Sequence, residues 1–206
     1  SAKDNDIAGF LNIVNEHYAK DISRKVKSVK QSKAKRGQFI GAIPSYGYAK
    51  DENNHNQLVI DEVASEVVKR IFHLYAIGHS ARHIAEQLNK DSILSPRHYY
   101  YWKAGLPSPH SPNTWSANTI LQMLKKQIYI GHMVQGTRHN PSFKMKVREL
   151  VPEEDWIIVE NTHEALVDKE TWDQVQAIIN TRKSKRGIGT KYKKNGEIAL
   201  FSGKIR

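Results

Sequence analysis

Apolar residues recur every three or four positions between Asp4 and Gly37, as Ile7, Phe10, Leu11, Val14, Tyr18, Ile22, Val26 and Val29. That spacing puts them on one face of a helix. The stretch has no Pro, its interior glycine is Gly9, and Gly37 is a natural stop. A helix of some 30 residues spans ~45 Å at 1.5 Å per residue, longer than a small domain is wide. Such a helix is expected to pack on something outside this sequence or on a copy of itself.

The pattern then breaks. Residues 38–48, QFIGAIPSYGY, show neither a helical nor a strand period and predict a short extended linker. The compact part is expected to start near Gln57. Val63, Val67, Val68, Ile71, Phe72 and Tyr75 predict a helix over Asp61–Ile77 that Gly78 ends. Ser80 sits at an N-cap position before a short helix to Leu88, with Ile84, Ala85 and Leu88 inward. Small Ala85, with a polar turn at Asn89 and Asp91, matches the first helix of a helix-turn-helix. The second helix is delayed. Residues 95–113 intervene, with Pro96, Pro107, Pro109, Pro112 and the aromatic-basic run RHYYYWK.

Ser116 then caps a helix over 117–126 with Ile120, Leu121 and Leu124 inward. Asn118, Thr119, Gln122, Lys125 and Lys126 face outward, as side chains suited to base edges and phosphates or simply to water. Residues 129–137, 146–151 and 156–159 have strand composition and predict a small antiparallel sheet or wing. Asp168 caps a last helix running to Arg182, followed by a basic stretch expected to be flexible. The fold class predicted is α+β: mainly α, with a long N-terminal helix and then a helix-turn-helix-like domain carrying a β-hairpin or wing. The segments are 1–37, 38–48, 49–182 and 183–206.

Charge sharpens this picture. The 206 residues carry 32 Lys and Arg against 21 Asp and Glu, a net +11 that is concentrated in two places. Lys20, Arg24, Lys25, Lys27, Lys30, Lys33, Lys35 and Arg36 stand against Asp21 alone, a net +7. From Arg182 to Lys194 seven cations, Lys183, Lys185 and Arg186 among them, meet no acid, again +7 and leaving the rest at −3. Two such segments are a footprint for a polyanion, of which nucleic acid is the commonest. Neither segment has a lipid-facing apolar stripe, so no membrane partner is expected. The first half of the long helix is suited to pairing with protein, and the second to lying along phosphates.

Other chemistry is excluded or weak. With no Cys, this sequence holds no disulfide, thiolate zinc site or thiol nucleophile. Apolar runs are too short for a membrane span, and no signal peptide opens the chain. The start at Ser1–Ala2, without Met, reads as a cloning remnant on an excised fragment. His79 and His83 have ligand spacing, but no HExxH or acid completes a metal site. His163-Glu164 lacks a nucleophile partner, and there is no P-loop, GxGxxG or nucleophile elbow. No metal or cofactor and no catalysis are expected of these residues alone.

Five stretches in order carry a resemblance: FLNIVNEHYAKDISRKVKSVKQSKAKRGQFIGAIPSYGY, LVIDEVASEVVKRIFHLYAIGHSARHIAEQLN, WSANTILQMLKKQIYIGHMVQG, WIIVENTHEALVDKETWDQVQ and LFSGKIR. Together they resemble the large serine recombinases, nearest the transposase and integrase branch of conjugative or mobilisable elements. The resemblance implies a bacterial, cytoplasmic protein with a serine-bearing catalytic domain before this chain and a zinc ribbon after it. It implies action as a dimer and tetramer on double-stranded attachment sites. Residues 1–37 would be the long dimerising helix, 38–48 a minor-groove linker, and 49–182 the domain that binds half a site. Arg24, in DISRK, is the best match to an active-site arginine of that helix. The candidate DNA contacts are Lys27, Lys30, Lys33, Lys35, Arg36, Gln38, Tyr46, Arg97, Tyr99, Tyr100, Lys103, Asn118, Thr119, Gln122, Lys125, Lys126, Arg138, Lys183, Lys185 and Arg186.

Three rival readings use the same residues. A winged-helix transcription regulator with basic arms predicts a complete, unfused protein. A basic RNA or single-strand module would use RHYYYWK to stack bases. A coiled-coil interaction fragment needs a sustained heptad, which fails after Val26.

Overall fold

A computed structural model of the chain describes residues 2–109, 112–142, 145 and 147–188, with side chains described between 11 and 183. In order the elements are α1 (Ala2–Lys35), β1 (Tyr48–Lys50), β2 (Leu58–Ile60), α2 (Glu62–Ala76), α3 (Ala81–Lys90), α4 (Pro96–Lys103), α5 (Ala117–Leu124), β3 (Met133–Gln135), β4 (Arg138–His139), β5 (Glu149–Leu150), β6 (Ile157–Val159) and α6 (Lys169–Ile188). The protein is mainly α with small antiparallel sheets. Its residues group into two compact units, 1–69 with 126–168 and 70–125 with 169–206, so the chain leaves the first unit within α2 and returns after α5. Among the described residues no helix is long and apolar enough to cross a membrane.

In the first unit α1 ends where Gly37 takes a left-handed conformation, φ 72°. The Gly37 N–H donates to Ala34 O at 2.9 Å and the Gln38 N–H to Lys33 O at 3.1 Å, satisfying carbonyls that a helix end leaves over. A Cβ at Gly37 would lie 2.5 Å from Thr162 Cγ2, so the turn also needs glycine for space. Ala34 is buried, and this end of α1 packs on β6. Upstream, Leu11, Val14, Tyr18, Ile22, Val26 and Val29 are exposed, so this part of the predicted apolar stripe is uncovered within this chain; the side chains of Ile7 and Phe10 lie outside the described residues.

Residues 38–48 are irregular, with a bend at Ala42 and Ile43 and a turn at Tyr46 and Gly47, and are not a free extended linker. Phe39 and Tyr48 are buried, and the compact part begins here rather than near Gln57. Tyr48 opens β1, which pairs antiparallel with β2 in the register Tyr48↔Ile60. Strand composition over 129–137 is also misleading, because Gln127–Ile130 is a 3₁₀ turn and only Met133–Gln135 is a strand, paired with β6. Strands β4 and β5 form a separate short hairpin, as a wing would.

Fully buried Tyr129 joins these parts. Its carbonyl accepts from the Leu166 and Val167 N–H groups at 2.9 and 3.0 Å, and its hydroxyl donates to Tyr46 O at 3.1 Å. Its ring stacks on Tyr48, 6.3 Å between centroids. The Tyr48 hydroxyl lies 3.1 Å from Ile128 O and 2.9 Å from Glu164 O. Burial raises the pKa of both phenols, so both stay protonated donors. His163 meets Tyr48 edge-on at 4.8 Å. Its Nε2 lies 2.7 Å from Ile128 O and must donate to it, so in the neutral ring Nδ1 accepts from the Thr162 hydroxyl at 2.8 Å.

In the second unit α3 packs on α5. Ile84, Ala85 and Leu88 of α3 and Ile120, Met123 and Leu124 of α5 are buried. Met123 thus takes the inward place expected of Leu121, which is half-exposed because the buried face follows the i, i+3, i+4 spacing of Ile120, Met123 and Leu124. In the part of α2 that belongs to the first unit, Val63 is exposed, and the small Ala64 and Ser65 are buried instead. Phe72 stacks on Trp172 of α6 at 6.0 Å. Arg182 of α6 donates to Gly78 O at 2.9 Å, in the turn that follows α2, and lies over the Tyr75 ring. Helix α6 continues past Arg182 to Ile188.

Burial holds the His163 imidazole below its ordinary value, with His132 adding to the effect and the Ile128 hydrogen bond opposing it. A neutral ring favoured in the folded state contributes stability that is complete above pH ~6.5 and lost as pH falls through the lower folded value. Chemical denaturation at a series of pH values between 7.5 and 5 is expected to show a flatter decline for His163→Gln than for the parent chain. Parallel curves would show that His163 does not carry this dependence.

Candidate nucleic-acid interface

The cations of α1 emerge from an anchored end. Arg24, Lys27, Lys30, Lys35 and Arg36 are exposed, the Arg36 guanidinium donating weakly to Ser32 O at 3.4 Å. Lys33 is half-buried, and its ammonium donates to Asn56 Oδ1 at 3.0 Å. Asn56 also donates through Nδ2 to Phe39 O at 2.9 Å and accepts at its backbone from the Phe39 N–H at 2.7 Å. One asparagine from the β1–β2 connection therefore fixes how the chain leaves α1. Gln135 of β3 fixes it further, donating to Gln38 O at 2.8 Å and accepting from the Ile40 N–H at 3.1 Å. Just beyond these clamps Ala42 and Ile43 face solvent. The Gln38 side-chain oxygen is buried without a donor, the single such atom among the described residues. Tyr46 is half-buried, its pKa pushed up to about 12 by burial and then by Asp61.

In the second unit, Asn89 at the end of α3 closes a two-bond clamp on the Trp115 backbone. Its Nδ2 donates to Trp115 O at 3.0 Å, and the Trp115 N–H donates to its Oδ1 at 2.7 Å. The buried indole donates to Ile93 O at 3.0 Å. Ser116 then caps α5, accepting from the Thr119 N–H at 3.1 Å, while its Oγ lies 2.9 Å from Thr119 Oγ1. At the other end Gln176 of α6 donates to Leu124 O at 2.7 Å. Helix α5 is thus fixed at both termini, with Asn118, Gln122 and Lys125 projecting from it and the Thr119 hydroxyl engaged with the cap.

A family model described as Recombinase matches residues 62–182. The chain belongs to the Recombinase family. Among curated proteins, this Recombinase-family chain is similar to the uncharacterized protein YefB of Bacillus subtilis (strain 168), 32% identical over 77 residues, 37% of this chain and 26% of YefB. Its fold is similar to a chain in a crystal structure of an LSR-DNA complex, at 17% identity and TM-score 0.48, covering 84% of this chain and 42% of that one. It is also similar to a chain from a structure described by the sequence requirements of the Listeria innocua prophage attP site, at 15% identity and TM-score 0.49, covering 82% and 56%. The chain therefore spans from 26% to 56% of the length of these relatives.

Within the Recombinase-family chain the predicted residues divide between the units. Lys27, Lys30, Lys33, Lys35, Arg36, Gln38, Tyr46, Lys126 and Arg138 belong to the first, and Arg97, Tyr99, Tyr100, Lys103, Asn118, Thr119, Gln122, Lys125 and Lys183 to the second. Lys126 is exposed by area, yet protein around its ammonium lowers its pKa by desolvation. Arg138 is exposed on β4 and Lys183 on α6, while the side chains of Lys185 and Arg186 lie outside the described residues, as does LFSGKIR. The run 95–113, the insertion that delays the second helix, contains helix α4. His79 and His83 stack at 5.0 Å, with His83 Nε2 2.9 Å from Gln87 Nε2.

Sequence reasoning missed Asn56 and Asn89, whose roles are long-range. It also missed a signal that was available: no Asp or Glu occurs between Asp91 and Glu149, while Arg97, Lys103, Lys125, Lys126, Arg138, Lys144, Lys146 and Arg148 fall there. A run of that length without an acid is a third basic segment, hidden because its charges are spread.

Asn89→Ala removes both bonds to Trp115 and leaves backbone groups unsatisfied, an expected loss of about 1–3 kcal/mol. Urea denaturation checks it, with Lys90→Ala as the exposed control. Equal midpoints for the two variants would show that the clamp contributes nothing.

Proposed function

We propose that this chain is the DNA-selecting part of a large serine recombinase and binds duplex DNA at half of an attachment site. The observation that carries the reading is that the Recombinase match contains the whole acid-free run between Asp91 and Glu149. A family defined by breaking and rejoining DNA is here combined with a stretch of chain from which the charge that repels phosphate has been removed.

The residues fit distinct tasks. Lys27, Lys30, Lys35 and Arg36 lie along one basic half-helix and neutralise phosphates, a sequence-independent contribution. The clamped segment after Gly37 offers Ala42 and Ile43, small and apolar, to a minor groove. Helix α5, capped at one end and held at the other, presents Asn118 and Gln122, amides able to pair with an adenine edge in a major groove. Lys125, Lys126, Arg138, Lys183, Lys185 and Arg186 add phosphate contacts, with α3 and α5 as a helix-turn-helix widened by insertion of α4. The exposed apolar stripe of α1 suits pairing with a second copy in an assembly on DNA.

The chemistry implied is serine attack on the backbone, a phosphoserine-linked intermediate, strand exchange and religation. It would belong to residues outside this chain, with Arg24 the candidate to reach that site. Zinc likewise would be held elsewhere, since this sequence has no Cys. The protein would act on the DNA of a mobile element in the bacterial cytoplasm.

The deciding experiment is selection from randomised duplexes of roughly 30 base pairs, about three helical turns, at near-physiological salt. One asymmetric motif with an A·T-rich stretch beside mixed sequence is expected, and retention of no motif would reduce the chain to a nonspecific polyanion binder. Replacing Lys27, Lys30 and Lys35 with Gln is expected to weaken all duplexes alike and to flatten log K against log salt by ~0.9 for each phosphate no longer neutralised. Anisotropy titrations across salt concentrations would show a sequence-selective loss if that is wrong. Asn118→Ala with Gln122→Ala is expected to lose about 1–3 kcal/mol of discrimination for each base edge these amides read, and an unchanged preference would remove α5 from direct readout.

A further inference from the structure

Helix α4 buries none of its eight side chains. Trp102 is 63% exposed and Tyr100 38%, with Leu106 just beyond at 55%. A helix this short normally depends on a buried face, so something else must hold it. Its N-terminal end is fixed by Pro96 in the first turn and by buried Ser95, whose N–H donates to Asn113 Oδ1 at 2.8 Å and whose hydroxyl lies 2.9 Å from His98 Nδ1. Its other end closes through Gly105, φ 65°, and the Leu106 N–H on Tyr101 O at 2.9 Å. The helix is held by its ends and by half-buried His98, Tyr99 and Tyr101, while the Tyr100 and Trp102 rings stay outside.

Those rings are organised. Tyr99 and Trp102 lie 5.7 Å apart at 37°, and Tyr100 and Tyr101 meet at 5.4 Å and 75°. Arg97 and Lys103, both exposed, stand near the two ends of the helix, inside the acid-free run. An acidic peptide would complement the positive charge but gives no reason for exposed aromatic faces. A duplex offers phosphates, sugars and groove edges while its base faces are hidden in the stack. Aromatic faces between two cations match bases that are unstacked and joined by phosphates.

We propose that α4 binds single-stranded nucleic acid, with Trp102 and Tyr100 stacking on unpaired bases and Arg97 and Lys103 meeting the flanking phosphates. This goes beyond the duplex reading by taking Arg97, Tyr100 and Lys103 out of the candidate duplex contacts and assigning them to a single strand instead.

The test compares a labelled oligo-dT of about 12 nucleotides, within the site sizes of such proteins, with a labelled duplex, using the full 206-residue chain. The parent chain is expected to bind both. Tyr100→Ala with Trp102→Ala is expected to weaken oligo-dT binding roughly 10- to 100-fold, the range of losing stacking on one or two bases, with duplex affinity unchanged and the circular dichroism spectrum intact. Trp102→Phe should restore much of the loss, because a ring is what the base needs. Unchanged oligo-dT affinity in the double variant overturns the proposal, and so does failure of the parent chain to bind oligo-dT while it holds duplex. Equal losses on both ligands overturn it by placing α4 against the duplex. Failure of the parent chain on duplex alone would count against the duplex reading and leave this one standing.

Discussion

Tyr129 is the residue on which the first unit depends. Its carbonyl takes two backbone N–H groups, its hydroxyl reaches back to Tyr46, and its ring stacks on Tyr48, so two distant stretches, 46–48 and 166–167, meet at one residue. Short strands of two or three residues have little stability of their own. They hold because a fully buried tyrosine with its polar atoms satisfied removes both the freedom and the penalty that would otherwise separate them. His163 and Tyr48 extend the same economy, each placing a polar edge on the Ile128 carbonyl.

The second unit reaches rigidity by different means. Its core is ordinary apolar packing of α3 on α5, but the ends are governed by side-chain amides and one guanidinium: Asn89 on Trp115, Gln176 on Leu124, Arg182 on Gly78. This arrangement suits a recognition element. A helix of eight residues is too short to be stable by propensity, and the base-reading role proposed for α5 needs a surface that does not rock. Fixing both termini leaves the outward residues to vary without loosening the helix. The same logic lets residues 95–113 intervene between α3 and α5, because the junction between those helices is closed by Asn89 and Trp115 whatever lies between them.

What was legible in the sequence was local. Ser80 and Ser116 announced their caps, Gly37 and Gly78 their helix ends, and the period of α1 its stripe, because each depends on neighbours within a few residues. What was hidden depends on partners far away. Helix α4 has no apolar period because it buries nothing, so periodicity had no purchase on it. Strands β1 and β2 are too short to alternate visibly. Tyr129 has β composition and sits in a 3₁₀ turn because its many partners decide its backbone. For the candidate interface, blocks of charge were visible, whereas an absence of acid had to be looked for.

The anchoring of α1 at its C-terminal end has a mechanical meaning. Ala34 and Gly37 are seated while the side chains from Leu11 to Val29 in the apolar stripe stand clear, so the helix is a shaft fixed at one end. On a shaft, distance and angle are geared together: each residue added advances the far end by about 1.5 Å and turns it by about 100°. The stripe and the seated end are therefore kept in phase by residue count alone. A single insertion between Val29 and Ala34 would swing the stripe to another side of the axis while leaving the seated end in place.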